Sequence, residues 1–126
     1  MLARPGALVL LVSPDRLTRE VIGGWLGFSG YRVHAIANTA QVLSPMPGGP
    51  VGLAILDLEY SCGTAVGVLE KVRRCLPDVP MIALTGCSED ADALGRAVRH
   101  GTVAALKKHG SLQSLRQAVE DCLISD

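Results

Sequence analysis

Gly52-Leu53-Ala54-Ile55-Leu56-Asp57 is an apolar run that leads straight into an acid. Leu53 to Leu56 show no alternation of polar and apolar residues, so a strand built from them is covered by protein on both faces, as in the centre of a parallel sheet. Such a strand presents its chemistry where it ends, beyond its carboxyl terminus. Asp57 stands there. Taken alone it reads equally well as the first residue of a turn, because Asp is common where strands stop.

Similar short apolar runs recur at residues 7–12, 31–37, 81–85 and 103–107, and the run around Leu53 extends over 52–58. The stretches between them have helical character. Over 15–28, Leu17, Val21, Ile22, Trp25 and Leu26 recur mostly three and four residues apart, except for the neighbours Val21-Ile22 and Trp25-Leu26, and trace one apolar stripe. Ser13 suits the N-cap of that helix, with Pro14 in its first turn. Further helices are predicted over 39–43, 64–76, 89–100 and 111–124, the last with Leu112, Leu115, Ala118, Val119, Cys122 and Leu123 on its inner face. Five strands alternating with five helices predict an α/β fold, a doubly wound five-stranded parallel sheet covered on both faces. The Pro/Gly cluster at 45–50 is a loop before the third strand. Gly23 and Gly24 inside the first helix each cost up to about 1 kcal/mol relative to alanine.

Size and composition narrow the function. At 126 residues the chain has the length of one domain able to bury a core without staples. Twelve basic residues balance twelve acidic ones, and aromatics make up only 3%, so neither an attractive field nor a stacking platform for nucleic acid is expected. The early run at 7–12 is too short to span a membrane and lacks a signal-peptide flank, so a cytoplasmic protein is expected. Cys62, Cys75, Cys87 and Cys122 form no C-x-x-C pair and are expected as free thiols.

The ends of the strands carry Ser13-Pro14-Asp15, Asp57-Leu58-Glu59, Thr85-Gly86 and Lys107-Lys108. An acid, a hydroxyl and a lysine from three separate strands are thereby set to converge. In this arrangement the whole chain, residues 1–126, resembles the receiver domains of two-component response regulators. The resemblance rests on Asp57 after the third strand, Thr85 in Ala83-Leu84-Thr85-Gly86, Lys108 closing the stretch from Gly101, and the spacing from Val12 to Arg19. It implies a flavodoxin-like three-layer fold, Asp57 as phosphoacceptor, and Thr85 and Lys108 as partners of the phosphoryl group. It also implies a magnesium ion that bridges attacking and phosphoryl oxygens.

The chain departs from that family where the metal is held. Two adjacent acids are usual after the first strand, and here Ser13 and Pro14 replace them, so magnesium is expected to bind weakly or not at all. Asp57 and Glu59 are the candidate metal ligands that remain. Asp15 reads as a first-turn acid favoured by the helix dipole. Ala105 stands where a switching aromatic is usual and His109 where a proline follows the lysine. His34 and His100 show no ligand spacing, and His109 beside the pocket reads as a loop histidine rather than a phosphotransfer one. Cys62 and Cys87 fall on the rim beside Asp57 and read as small hydrophobes rather than a redox pair.

The function expected is that of a single degenerate receiver without output domain. It is expected not to be an enzyme beyond phosphorylation and dephosphorylation of its own Asp57. Its expected partner is a histidine kinase or another signalling protein, with a homodimer through the face of the fourth helix, fifth strand and fifth helix, where Arg96, Arg99 and Arg116 lie. A phosphorylation-independent adaptor is the alternative. A flavin- or nucleotide-binding protein of flavodoxin-like fold is a lesser one, because neither G-x-G-x-x-G nor a P-loop follows the first strand.

Overall fold

The apolar runs form the strands, and the acid ends the central one. The computed structural model describes residues 8–41, 48–58, 65–86, 104–108 and 110–123. Strand β1 (Leu8–Val12) leads to helix α1 (Arg16–Phe28), β2 (Arg32–Ile36) and a short 3-10 turn at Thr39–Gln41. After β3 (Val51–Asp57) come α2 (Ala65–Cys75), β4 (Met81–Thr85), β5 (Ala104–Lys107) and α3 (Leu112–Leu123). All four strand pairs are parallel, in the order β2-β1-β3-β4-β5. This is the doubly wound, flavodoxin-like sheet predicted from the sequence. Its order reverses between β1 and β3, which places the crevice for ligands at the carboxyl ends of those two strands.

Alternation along the buried strands divides the core in two. Leu8, Leu10 and Val12 of β1 and Ala54 and Leu56 of β3 pack with Leu69 and Val72 of α2. Val9, Leu11, Leu53 and Ile55 face the other way, onto Ile22 and Leu26 of α1 and Leu115, Val119 and Leu123 of α3. Continuous apolar sequence is what a strand needs when both faces are covered.

Two helical stripes sit differently from their prediction. In α1 the buried positions are Thr18, Ile22 and Leu26, while Leu17 and Val21 are exposed. In α3, Leu115, Val119 and Leu123 are buried and Leu112 is exposed. The inward lines therefore run at strict spacings of four, and the apolar residues beside them border a groove between α1 and α3.

The helix predicted over 39–43 appears in its described part as the 3-10 turn, tied by the Asn38 side chain accepting from the Ala40 amide (3.0 Å). The helix predicted over 89–100 lies outside the described residues. Cys75 and Cys122 are free thiols. Burial, with the Asp121 charge beside it, pushes the Cys122 thiol up, which suits an inert small hydrophobe.

Candidate functional site at the strand ends

Register brings Ser13, Asp57 and Lys108 onto one face of the sheet. Val12 pairs with Leu56, so the next residues, Ser13 and Asp57, lie side by side. Both continue the rows of Leu11 and Ile55, which face α1 and α3. Lys108 continues the row of Leu106, which packs on the same layer. Thr85 has the parity of Met81 and Ala83, and Ala54, Leu56 and α2 share that other face. Backbone bonds fix these ends: the Ser13 amide donates to the Ile36 carbonyl (3.0 Å) and the Lys108 amide to the Thr85 carbonyl (2.8 Å).

Asp57 is buried, with its side chain inaccessible to solvent, and its charge is met within the protein. The Lys108 ammonium lies 2.9 Å from Asp57 Oδ2, with its own side chain only 2% exposed. The Ser13 hydroxyl donates to the same oxygen at 2.6 Å. A buried carboxylate needs an opposite charge and hydrogen bonds to remain ionised. Here one strand end supplies the charge and another supplies the bond.

The expected N-cap at Ser13 is therefore replaced. Asp15 is the N-cap of α1, its Oδ1 accepting from the Leu17 amide at 3.2 Å. Its Oδ2 accepts from the Thr18 hydroxyl (2.6 Å) and from Lys108 (3.3 Å). The Thr18 bond is the largest influence holding the Asp15 carboxyl below its ordinary value. Lys108 and the Leu17 amide add to it, against a smaller opposing effect of burial. Ser13 was the plausible cap by residue type. Asp15 takes the position because it stands directly before Arg16, the first helical residue, whereas Ser13 lies two residues earlier, its hydroxyl donating to Asp57 and accepting from the Asp15 amide at 3.1 Å. Arg19 completes the turn by donating to the Ser13 carbonyl at 2.6 Å.

The Thr85 side chain is buried and its hydroxyl donates to the Leu106 carbonyl (3.3 Å). Pro14 is exposed and has no side-chain donor or ligand atom. Glu59, Cys62, Cys87, His100, His109, Arg96 and Arg99 lie outside the described residues. Arg116, expected on a partner face, pairs with Glu120 on α3 at 3.0 Å. Next to the acid, the groove between α1 and α3 has a volume of about 360 Å³, with Asp15, Leu17, Val21, Lys108 and Leu112 among its lining.

The sequence matches the response regulator receiver domain family over residues 9–120. The chain belongs to that family. This receiver is 26% identical over 116 residues to the C4-dicarboxylate transport transcriptional regulatory protein DctD of Rhizobium meliloti, a match covering 89% of the chain and 25% of that protein. Across the relatives it matches, it spans 16% to 59% of their length.

A response regulator from Thermotoga maritima superposes with a TM-score of 0.80 at 20% identity, covering 95% of this chain and 99% of that one. The non-phosphorylated HemR receiver domain from Leptospira biflexa gives 0.79 at 21%, covering 95% and 96%. At these identities the structural likeness speaks for the fold.

Proposed function

We propose that this receiver serves two-component signalling through contact with protein partners, such as a histidine kinase. In this reading Asp57 is its candidate phosphoacceptor, in a pocket poorly supplied for magnesium. The observation that carries the reading is the joint hold of Ser13 and Lys108 on one oxygen of Asp57. Magnesium takes a near-octahedral set of oxygen ligands, usually from one or two carboxylates and water. After β1 this chain offers a hydroxyl already donated to Asp57 and a proline with no side-chain ligand. Asp15, the acid that follows β1 most closely in sequence, is occupied as a helix cap and a lysine partner. The described residues fit the metal poorly.

The remaining chemistry belongs to the side chains. A carboxylate oxygen of Asp57 attacks the phosphorus of a donor, the bond to the leaving group breaks with its electron pair, and an acyl phosphate results. Lys108, already paired with the carboxylate, offsets the added charge. Thr85 reaches the phosphoryl group only by giving up its bond to Leu106. The reading includes no other enzymatic activity. It places the receiver in the cytoplasm, and among the described residues no helix is long and apolar enough to cross a membrane.

The test is incubation with a small-molecule acyl phosphate and magnesium, followed by intact-mass measurement. Slow, partial gain of one phosphoryl group by the wild type and none by Asp57→Asn is the expected result. The short Ser13 bond also favours a second reading, an adaptor that works without phosphorylation. In that case neither protein gains mass and partner binding is the same in both.

A further inference from the structure

Aromatic residues are scarce in this chain, with one Trp, one Phe and two Tyr, yet three of the four meet at one place. Trp25, Phe28 and Tyr31 border a cavity of about 290 Å³ between α1 and α3, together with Arg116, Val119 and Glu120. The backbone explains the gathering. Helix α1 ends with Ser29 as C-cap and Gly30 at φ 99°, while the Tyr31 amide donates to Leu26 and the Gly30 amide to Gly27, both at 3.1 Å. These are the two bonds of a Schellman turn, for which glycine supplies the left-handed residue. The reversal lays Tyr31 on the buried cluster around Leu26 and Val119, where Trp25 also packs. Phe28, the last residue of the helix, is left projecting into solvent, 94% exposed.

A knob and a hole thus stand side by side on one face. The cavity has room for a phenyl ring, since cavities near 150 Å³ accept benzene. Its polar edge is the Arg116–Glu120 pair, whose side chains are 69% and 37% exposed. An exposed pair of this kind holds its geometry weakly and exchanges partners at little cost. The pairing also argues against an aromatic box for a cation, which depends on ring faces and negative charge that no arginine neutralises.

We propose that this face is a symmetric contact between two copies of the chain, the Phe28 ring of each seated in the aromatic cavity of the other. A two-fold contact requires a self-complementary surface. This one carries both the ring and its receptacle, and both signs of charge, so that Arg116 meets the partner's Glu120. Trp, Tyr and Arg are the residues that most often anchor interfaces. The patch is small, and the association it supports is weak and concentration-dependent. It lies at the carboxyl end of α1, toward the start of the strands, so Asp57 and its rim remain uncovered in the dimer. It shares Arg116 of α3 with the partner face expected from the sequence, but is completed by α1 rather than by the fourth helix.

Sedimentation equilibrium of the whole chain tests the proposal, combined with the emission of Trp25, the one tryptophan and a wall of the cavity. The wild type is expected to dimerise below about 1 mM, with Trp25 emission shifting over the same concentration range. Phe28→Ser, at a position too exposed to matter for folding, weakens dimerisation at least about tenfold. Arg116→Glu alone and Glu120→Arg alone each weaken it, and the two together restore it. A wild type that stays monomeric to about 1 mM, or a dimer indifferent to Phe28→Ser, overturns the proposal. So does dimerisation that leaves Trp25 emission unchanged.

Discussion

The Ser13 hydroxyl donates to Asp57 Oδ2 at 2.6 Å, across the two strands between which the sheet reverses its order. A serine thereby occupies, beside the buried acid, a place where a carboxylate would favour a cation. Replacing Ser13 by aspartate puts a second negative charge next to Asp57. In the absence of metal, Ser13→Asp lowers stability by like-charge repulsion. With magnesium present, the added carboxylate tightens binding at least about tenfold, because ligand charge count governs affinity at such sites. Calorimetric titration of wild type and variant with magnesium checks this, and equal affinities refute it. Ser13→Ala removes the bond to Asp57 together with the one the hydroxyl accepts from the Asp15 amide, and costs about 1 to 3 kcal/mol in urea unfolding.

Lys108 and Asp57 form a pair in which both side chains are withdrawn from water. Removing one partner of such a pair strands the other's charge, whereas removing both leaves no buried charge, only repacking and the lost contacts of Ser13 and Asp15. Lys108→Met is expected to destabilise the protein by about 3 to 5 kcal/mol. Asp57→Leu with Lys108→Met recovers most of that loss. A double-mutant cycle by chemical denaturation gives the coupling, and additive effects of the two substitutions count against the pair as the source of stability.

The fold was legible because its decisive signals are local. Runs such as Leu53 to Leu56 carry no alternation, and the helical stretches between them announce crossovers. The convergence of Asp57 and Lys108 followed from topology once the strands were placed. The cap of α1 was not legible. Ser13 and Asp15 are both good caps by residue type, and what separates them is where the backbone leaving β1 enters the helix, at Arg16, which residue type does not report. The aromatic cavity was missed for a related reason. Trp25 belongs by its spacing to one helical stripe, and nothing local to it reports that Tyr31 folds back beside it or that α3 supplies Arg116 and Glu120. The exposure of Leu17, Val21 and Leu112 likewise depends on how two helices are rotated against each other.

Gly24 illustrates stability left unused. It lies in the middle of α1 on the exposed side, and a Cβ built there meets nothing within 4 Å. Gly23 has only ordinary contacts at 3.8 Å with Leu11 and Val33. Neither position needs glycine for space. Gly24→Ala is expected to raise stability by about 0.5 to 1 kcal/mol, by reducing the freedom of the unfolded chain and favouring the helix. Thermal unfolding of the two proteins measures it, and an unchanged or lower midpoint contradicts the assignment.

Asp15 gives this receiver a specific acid sensitivity. Its carboxylate caps α1, accepts from Thr18 and faces Lys108, and these contacts hold it below its ordinary value of 3.8. A carboxyl depressed in the folded state binds its proton more readily when the chain unfolds, so its contribution is complete above about 3.8. The contribution is lost as pH falls from there through the lower folded value. Asn is also a good N-cap and keeps the bond to the Leu17 amide, while it removes the charge that Lys108 and Thr18 favour. Asp15→Asn is therefore expected to flatten the fall of stability with pH below about 4, without fraying the helix. Urea midpoints measured from pH 6 to pH 2.5 read the difference in slope, with helical circular dichroism at neutral pH as the control for the cap. Parallel profiles in the two proteins, with helix content intact, exclude Asp15 as a source of the acid response.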